Sequence, residues 1–156
     1  MARGHKRSAG LLLFRRDASE IEVLIAHMGG PYWEKKDEGG WSIPKGEYED
    51  EDPQEAAVRE FEEEIGLKRP KGRLLDLGEV RQPSGKRVRV WALEGSLDAT
   101  QVASNTFEME WPPRSGIMRE FPEVDRAQWF AVDEARVKLL PGQVPFLNLL
   151  LDHTSR

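Results

Sequence analysis

The 156-residue sequence predicts a mixed α/β domain organised around one sheet. Three observations carry that prediction. Short runs rich in Leu, Ile and Val recur in both halves between glycine, proline and aspartate turns, the pattern of buried strands. Residues 52–66 carry a full set of helix start and stop signals. Two further helical segments close the chain, so strands dominate and helices are interspersed.

Residues 7–14 and 21–27, joined by a polar turn containing Asp17, read as a hairpin of buried strands. Residues 28–40 hold four glycines and one proline and form a loop. A short apolar piece, residues 41–44, then runs into Lys45-Gly46. Asp52 is placed to cap a helix, Pro53 suits its first position, and Glu55 completes a capping box. Gly66 stands where a left-handed residue would end that helix, which therefore spans residues 53–65. Ala57, Val58, Phe61 and Ile65 share one arc of its wheel, the face toward the core. Beyond it, residues 73–81 and 87–93 are strands joined by a turn at residues 83–86. Residues 104–111 alternate as another strand before the Pro112-Pro113 loop. Residues 128–132 make a short final strand. Residues 132–139 and 145–152 are helices on either side of Pro141-Gly142.

The length suits one domain covering residues 1–156, with no internal repeat, and large enough to bury a core without staples. The chain has no cysteine, which suits a reducing compartment. The basic start, residues 1–8, is followed by no apolar stretch of signal-peptide type, and no run approaches the ~20 residues that span a bilayer. A soluble, cytoplasmic protein without a membrane partner is expected. The formal net charge of −5 argues against a nucleic-acid polymer as partner. A phosphorylated small molecule is compatible with it, because carboxylates holding a divalent cation let an acidic protein bind an anion.

Glu60, Glu63 and Glu64 lie together on a flank of the helix, at spacings that bring side chains side by side. As an ordinary solvated face this breaks two local rules. Like charges at i,i+4 cost a few tenths of a kcal/mol per pair. Carboxylates in the last turns also oppose the negative end of the helix dipole, at roughly 0.3–1 kcal/mol each. A bound divalent cation is the natural compensation, and oxygen ligands without His or Cys favour Mg²⁺, with Mn²⁺ as a substitute. Glu55 and Glu62 project elsewhere and read as solvated.

Gly46, Glu51 and the run Arg59-Glu60-Phe61-Glu62-Glu63-Glu64-Ile65-Gly66-Leu67 resemble the Nudix box, G-x5-E-x7-R-E-U-x-E-E-x-G-U. The match from Glu51 to Leu67 is position for position. One departure stands out: four residues, not five, separate Gly46 from Glu51. The resemblance implies an α-β-α sandwich around a mixed, curved sheet, and Mg²⁺-dependent cleavage of a diphosphate bond in a nucleotide-like substrate. It implies that Glu60, Glu63 and Glu64 coordinate the cation, that Arg59 orients them, and that Glu51 assists. It implies that the carbonyl of Lys45 is a further ligand, with Gly46 turning closely around the cation. Glu123-Val124, with Trp129-Phe130 six residues on, resembles the segment from which a carboxylate reaches the metals in several members, so Glu123 joins Glu63 and Glu64 as a candidate base. The family also allows a homodimer.

Substrate choice is left to the flanking loops. Tyr32, Trp33, Trp41 and Trp111 could stack on a base, with Glu108 and Glu110 beside the last. Lys45, Lys86, Arg87 and Arg89 could meet phosphates. His27 reads as a strand-end residue. The stretch 41–46 is similar to the lead-in of dinucleoside-polyphosphate hydrolases, which favours that class. Nucleoside triphosphates, nucleotide sugars and inositol pyrophosphates stay open. A nucleotide sensor without catalysis is the rival from a different class, opposed by the intact set of box carboxylates. Isoprenoid diphosphate isomerisation commonly uses a cysteine, which the chain lacks.

Overall fold

The computed structural model describes residues 6–18 and 20–155; the basic start is outside it as far as residue 5. Strands β1 (Arg7–Asp17) and β2 (Glu20–Met28) form the expected hairpin. They are followed by β3 (Trp41–Ser42), β4 (Lys45–Tyr48), helix α1 (Pro53–Ile65), β5 (Leu75–Arg81) and β6 (Arg87–Glu94). A separate antiparallel pair, β7 (Thr106–Glu110) and β8 (Met118–Pro122), precedes β9 (Val124–Ala131). Helices α2 (Val132–Lys138) and α3 (Pro145–Thr154) end the chain.

Seven strands share one mixed sheet, in which β1 runs parallel to β6 and antiparallel to β2. Alternation along β1 sorts the core into two layers. Leu11 and Leu13 face Phe61 and Ile65 of α1, while Leu12 and Phe14 face Phe146, Leu147 and Leu150 of α3. This is the α-β-α sandwich expected. Among the described residues no helix is long and apolar enough to cross a membrane.

The sheet is forked at its centre. β1 pairs with β2 only through Leu13–Asp17; nearer its start it pairs with β4, through Arg7–Gly10. β2 in turn pairs with β3 at Ala26 and His27. The segment 41–48 is thus wedged between two diverging strands, and it delivers Lys45-Gly46 beneath α1.

α1 has the predicted bounds. The Asp52 side chain accepts from the Glu55 N–H at 3.1 Å, and Gly66 takes the left-handed conformation (φ 76°) with its N–H on the Glu62 carbonyl. Its buried face is Ala56, Ala57, Phe61 and Ile65, so Ala56 replaces the expected Val58, which is only partly buried. Glu62 is not a free solvated residue either: its carboxylate accepts from the Arg69 N–H and fastens the chain leaving the helix.

Three strands were not foreseen, β3 among them, which lies in the short apolar piece 41–44. β4 reads Lys-Gly-Glu-Tyr and β8 reads Met-Arg-Glu-Phe-Pro, and neither has an apolar rhythm. β9 begins at Val124, four residues ahead of the predicted start at residue 128. The register between β2 and β9 shifts at His27/Met28, so Val124 and Ala127, three apart, face the same core layer. That irregularity erases the two-residue period by which a strand is recognised.

Candidate active site

Two short chain segments and the α1 flank meet at the fork. The Pro44 carbonyl accepts from the Leu11 N–H, so the next residue, Lys45, turns its peptide groups to the opposite side. There the Lys45 N–H donates to Glu64 Oε2 at 3.3 Å, and its carbonyl faces the same way. Gly46 is pressed against α1 so closely that a Cβ built on it would lie 2.0 Å from the Glu60 carboxylate. A larger residue there would have to displace the Glu60 carboxylate.

Arg59 organises three carboxylates, the exposed Glu51 and Glu63 and the more buried Glu60. Its guanidinium donates from Nε and Nη2 to both oxygens of Glu51, and from Nη1 to Glu60 Oε1 (2.9 Å) and Glu63 Oε2 (3.2 Å). The two-pronged bond to Glu51 raises the Arg59 pKa and holds the Glu51 carboxyl below its usual range. Glu51 and Glu63 stay well exposed, with 36% and 44% of their side chains open to solvent, whereas Glu60 retains 15%.

The inner carboxylates are in a different state. Burial raises the Glu60 carboxyl; Arg59 opposes this, and Glu63 and Glu123 reinforce it. Burial pushes Glu64 up to about 8, with Glu123 and Glu60 adding to the effect and the Lys45 N–H and ammonium working against it. The Lys45 ammonium is itself lowered, by burial first and then by nearby Lys86. Ionising these carboxyls is therefore disfavoured, because the protein's own cations compensate their charge incompletely.

Stability should report this directly. With divalent cations chelated, Glu64 is protonated in the folded protein and ionised in the unfolded chain between its ordinary 4.5 and about 8. The unfolded state then binds fewer protons, so this group's contribution is complete below pH 4.5 and is lost as pH rises through about 8. The difference in Tm between wild type and Glu64→Gln, followed by calorimetry from pH 5 to 8.5 in chelator, should move in favour of the variant. A constant difference would contradict the state assigned to Glu64.

Glu64 opens into a cleft of about 290 Å³ lined by Met28, Trp33, Lys45, Phe107 and Glu123 among others. Glu123 lies just before β9, its N–H donating to the Asn105 carbonyl and its carbonyl accepting from the Gly29 N–H. The structure thus gathers Lys45, Glu64, Glu123 and Trp33 at the cleft, whereas Arg59 and Glu63 line a different cavity with Glu62 and Arg69.

Several expected recognition residues stand elsewhere. Trp41 is 1% exposed, with its indole N–H on Asp37 and its ring packed edge-on against His27 and Phe130. It has no face left for a ligand. Trp111 packs against exposed Tyr32. Arg89 is paired with Asp76 on β5, and Lys86 lies 3.9 Å from Glu47. Glu110 caps a turn through the Arg114 N–H, and Arg87 and Glu108 are exposed. Phe107, Ser42 and Met28 were missed in the cleft, because ordinary strand residues carry no signal of facing a ligand.

Among the described residues no three carboxylate or imidazole groups converge closely enough to hold an ion by themselves. Mg²⁺ does not require this, since it takes one or two carboxylates and completes its shell with waters and substrate phosphates. Two partly buried carboxylates of raised pKa, with a strand carbonyl directed to the same side, are a donor set that fits it.

The sequence model of the NUDIX domain matches residues 4–150. The human diphosphoinositol polyphosphate phosphohydrolase NUDT4B is 31% identical over 91% of this chain. Human diphosphoinositol polyphosphate phosphohydrolase 3-alpha is 30% identical over the same share. The chain spans 66% of the first relative's length and 73% of the second's. Among solved structures, a C. elegans Ap4A hydrolase in a binary complex superposes with a TM-score of 0.66 at 20% identity, covering 95% of this chain and 98% of that one. The NUDIX domain of Shewanella oneidensis NrtR, complexed with ADP ribose, gives 0.65 at 16%, covering 97% and 90%. At these identities the structural likeness is one of fold.

Proposed function

The chain belongs to the NUDIX family, and from that premise we propose that it is a Mg²⁺-dependent pyrophosphohydrolase acting on a dinucleoside polyphosphate or a related nucleotide. The observation that carries the proposal is the cleft, where Glu64 and Glu123 lie at the same opening as the aromatic rings of Trp33 and Phe107. Acidic groups at one side suit a cation-bound diphosphate, and aromatic rings at the other suit a base.

Each residue has a distinct task. The Lys45 N–H fixes the Glu64 carboxylate, and Arg59 ties Glu51, Glu60 and Glu63 together. Glu60, Glu64 and the Lys45 carbonyl would hold Mg²⁺. When bound, the cation supplies charge neutralisation for the diphosphate and acidifies water. Water oxygen attacks phosphorus, the bond from phosphorus to the bridging oxygen breaks, and a carboxylate accepts the water proton. Of the three candidate bases, exposed Glu63 is tied to Arg59, while Glu64 serves as ligand. Glu123, in the cleft and clear of Arg59, takes the proton in this reading.

The names of the relatives favour a second reading, an inositol pyrophosphate. Against it, Lys45 is the one cationic residue lining the described part of the cleft, and a polyphosphorylated ring calls for several. The test is phosphate release with Mg²⁺ from dinucleoside polyphosphates, nucleoside triphosphates, nucleotide sugars and inositol pyrophosphates. Preferential turnover of the nucleotides is expected. Preference for the inositol compounds would overturn the substrate assignment, and a folded protein silent on the whole panel would point to a sensor.

A further inference from the structure

The loop 29–40, which contributes Trp33 to the cleft, is fastened by an element that neither the box nor the cleft includes. His27, near the end of β2, is 1% exposed and uses both ring nitrogens. Nδ1 lies 2.9 and 3.0 Å from the two oxygens of Asp125 on β9, and Nε2 lies 2.6 Å from the carbonyl of Lys36 in the loop. A backbone carbonyl can only accept. Nε2–H therefore donates to the Lys36 carbonyl, while Nδ1 lies against the Asp125 carboxylate.

Arg126 donates to Asp125 at 3.2 Å and stacks over Trp41, whose ring meets His27 edge-on at 5.2 Å. From the loop, Asp37 takes the Trp41 indole N–H and pairs with Lys138 of α2. These are the charged groups around His27, and Asp125 is the one in direct contact with its ring.

The clamp continues to the cleft through the backbone. The peptide whose carbonyl His27 holds belongs to Lys36, and the Lys36 N–H donates to the Trp33 carbonyl at 2.9 Å. The Lys36 ammonium also lies over the Trp33 ring, 5.3 Å from its centre. Trp33 is thus placed by two successive hydrogen bonds that start from a buried donor.

We propose that His27, held between Asp125 and the Lys36 carbonyl, is the positioning residue that sets Trp33 for substrate binding. The proposal rests on the reading of the cleft as the substrate site, and it assigns His27 an effect on binding rather than on bond cleavage. Removing the donor should leave the rest of the fold in place while the loop loosens, because the Lys36 carbonyl would then lose the side-chain bond that ties the loop to β2.

The experiment combines backbone hydrogen exchange with steady-state kinetics for His27→Phe, His27→Gln and Asp125→Asn. In His27→Phe, exchange across residues 29–40 should rise at least about tenfold with α1 unchanged. For the best nucleotide of the panel, KM should rise about tenfold while kcat moves less than about threefold. His27→Gln, with one amide able to reach one acceptor, should fall between; it decides the matter if His27→Phe does not fold. Asp125→Asn should retain loop protection, since its amide can donate to Nδ1 while Nε2–H still holds Lys36. Unchanged exchange in both His27 variants, or a loss confined to kcat, would overturn the proposal. A wild type silent on the panel would defeat the functional reading, while the exchange result would still decide whether the clamp exists.

Discussion

Glu64→Gln is expected to lower kcat by about 10³-fold, within the range for removing a group that acts on the reacting centre, while the fold stays intact. Glutamine keeps the shape and can still accept from the Lys45 N–H, so the α1 flank and the fork remain in register. What it loses is the negative charge that a cation would meet. Because burial disfavours that charge in the metal-free protein, the variant should be no less stable than wild type near pH 8. Steady-state kinetics alongside a melt check both halves. Activity above about a tenth of wild type would remove Glu64 from the site.

Gly46→Ala should cost about 10²-fold in kcat, by a purely steric route. The added Cβ would fall 2.0 Å from the Glu60 carboxylate, which Arg59 holds from the other side at 2.9 Å. Glu60 must move, and its bond to Arg59 must stretch or break. The damage should be local, because the core face of α1 points away, toward Leu11 and Leu13. Non-additivity gives the check: if Gly46→Ala acts through Glu60, the double variant with Glu60→Gln should be no slower than Glu60→Gln alone. Two independent losses that multiply would contradict this.

Much of the site was legible because its logic is local. The capping signals of α1 bound the helix to the residue, and helical spacing alone groups Glu60, Glu63 and Glu64. Spacing does not show that these three differ: Arg59 claims the exposed Glu63, while burial governs Glu60 and Glu64. That division depends on β4, a polar strand recognisable only once the fork between β1 and β2 is seen. The shorter loop between Gly46 and Glu51 does not disturb the constellation, since Glu51 still reaches Arg59.

Trp41 and His27 illustrate the limits of composition. A tryptophan beside the box looks like a stacking platform, yet the β2–β3 pairing turns it into the core. A lone histidine at a strand end looks incidental, yet its two acceptors come from Asp125 and Lys36, at sequence separations of 98 and 9 residues. Only the register of β9 on β2, with its shift at His27, brings Asp125 to the ring.

The most direct test of a cation held by the α1 flank is Mn²⁺ binding followed by electron paramagnetic resonance, in wild type and Glu64→Gln at pH 8.5. Wild type should bind Mn²⁺ and the variant should bind it about 10–100-fold more weakly. Equal affinity in the two proteins would contradict the metal site and the hydrolytic mechanism built on it.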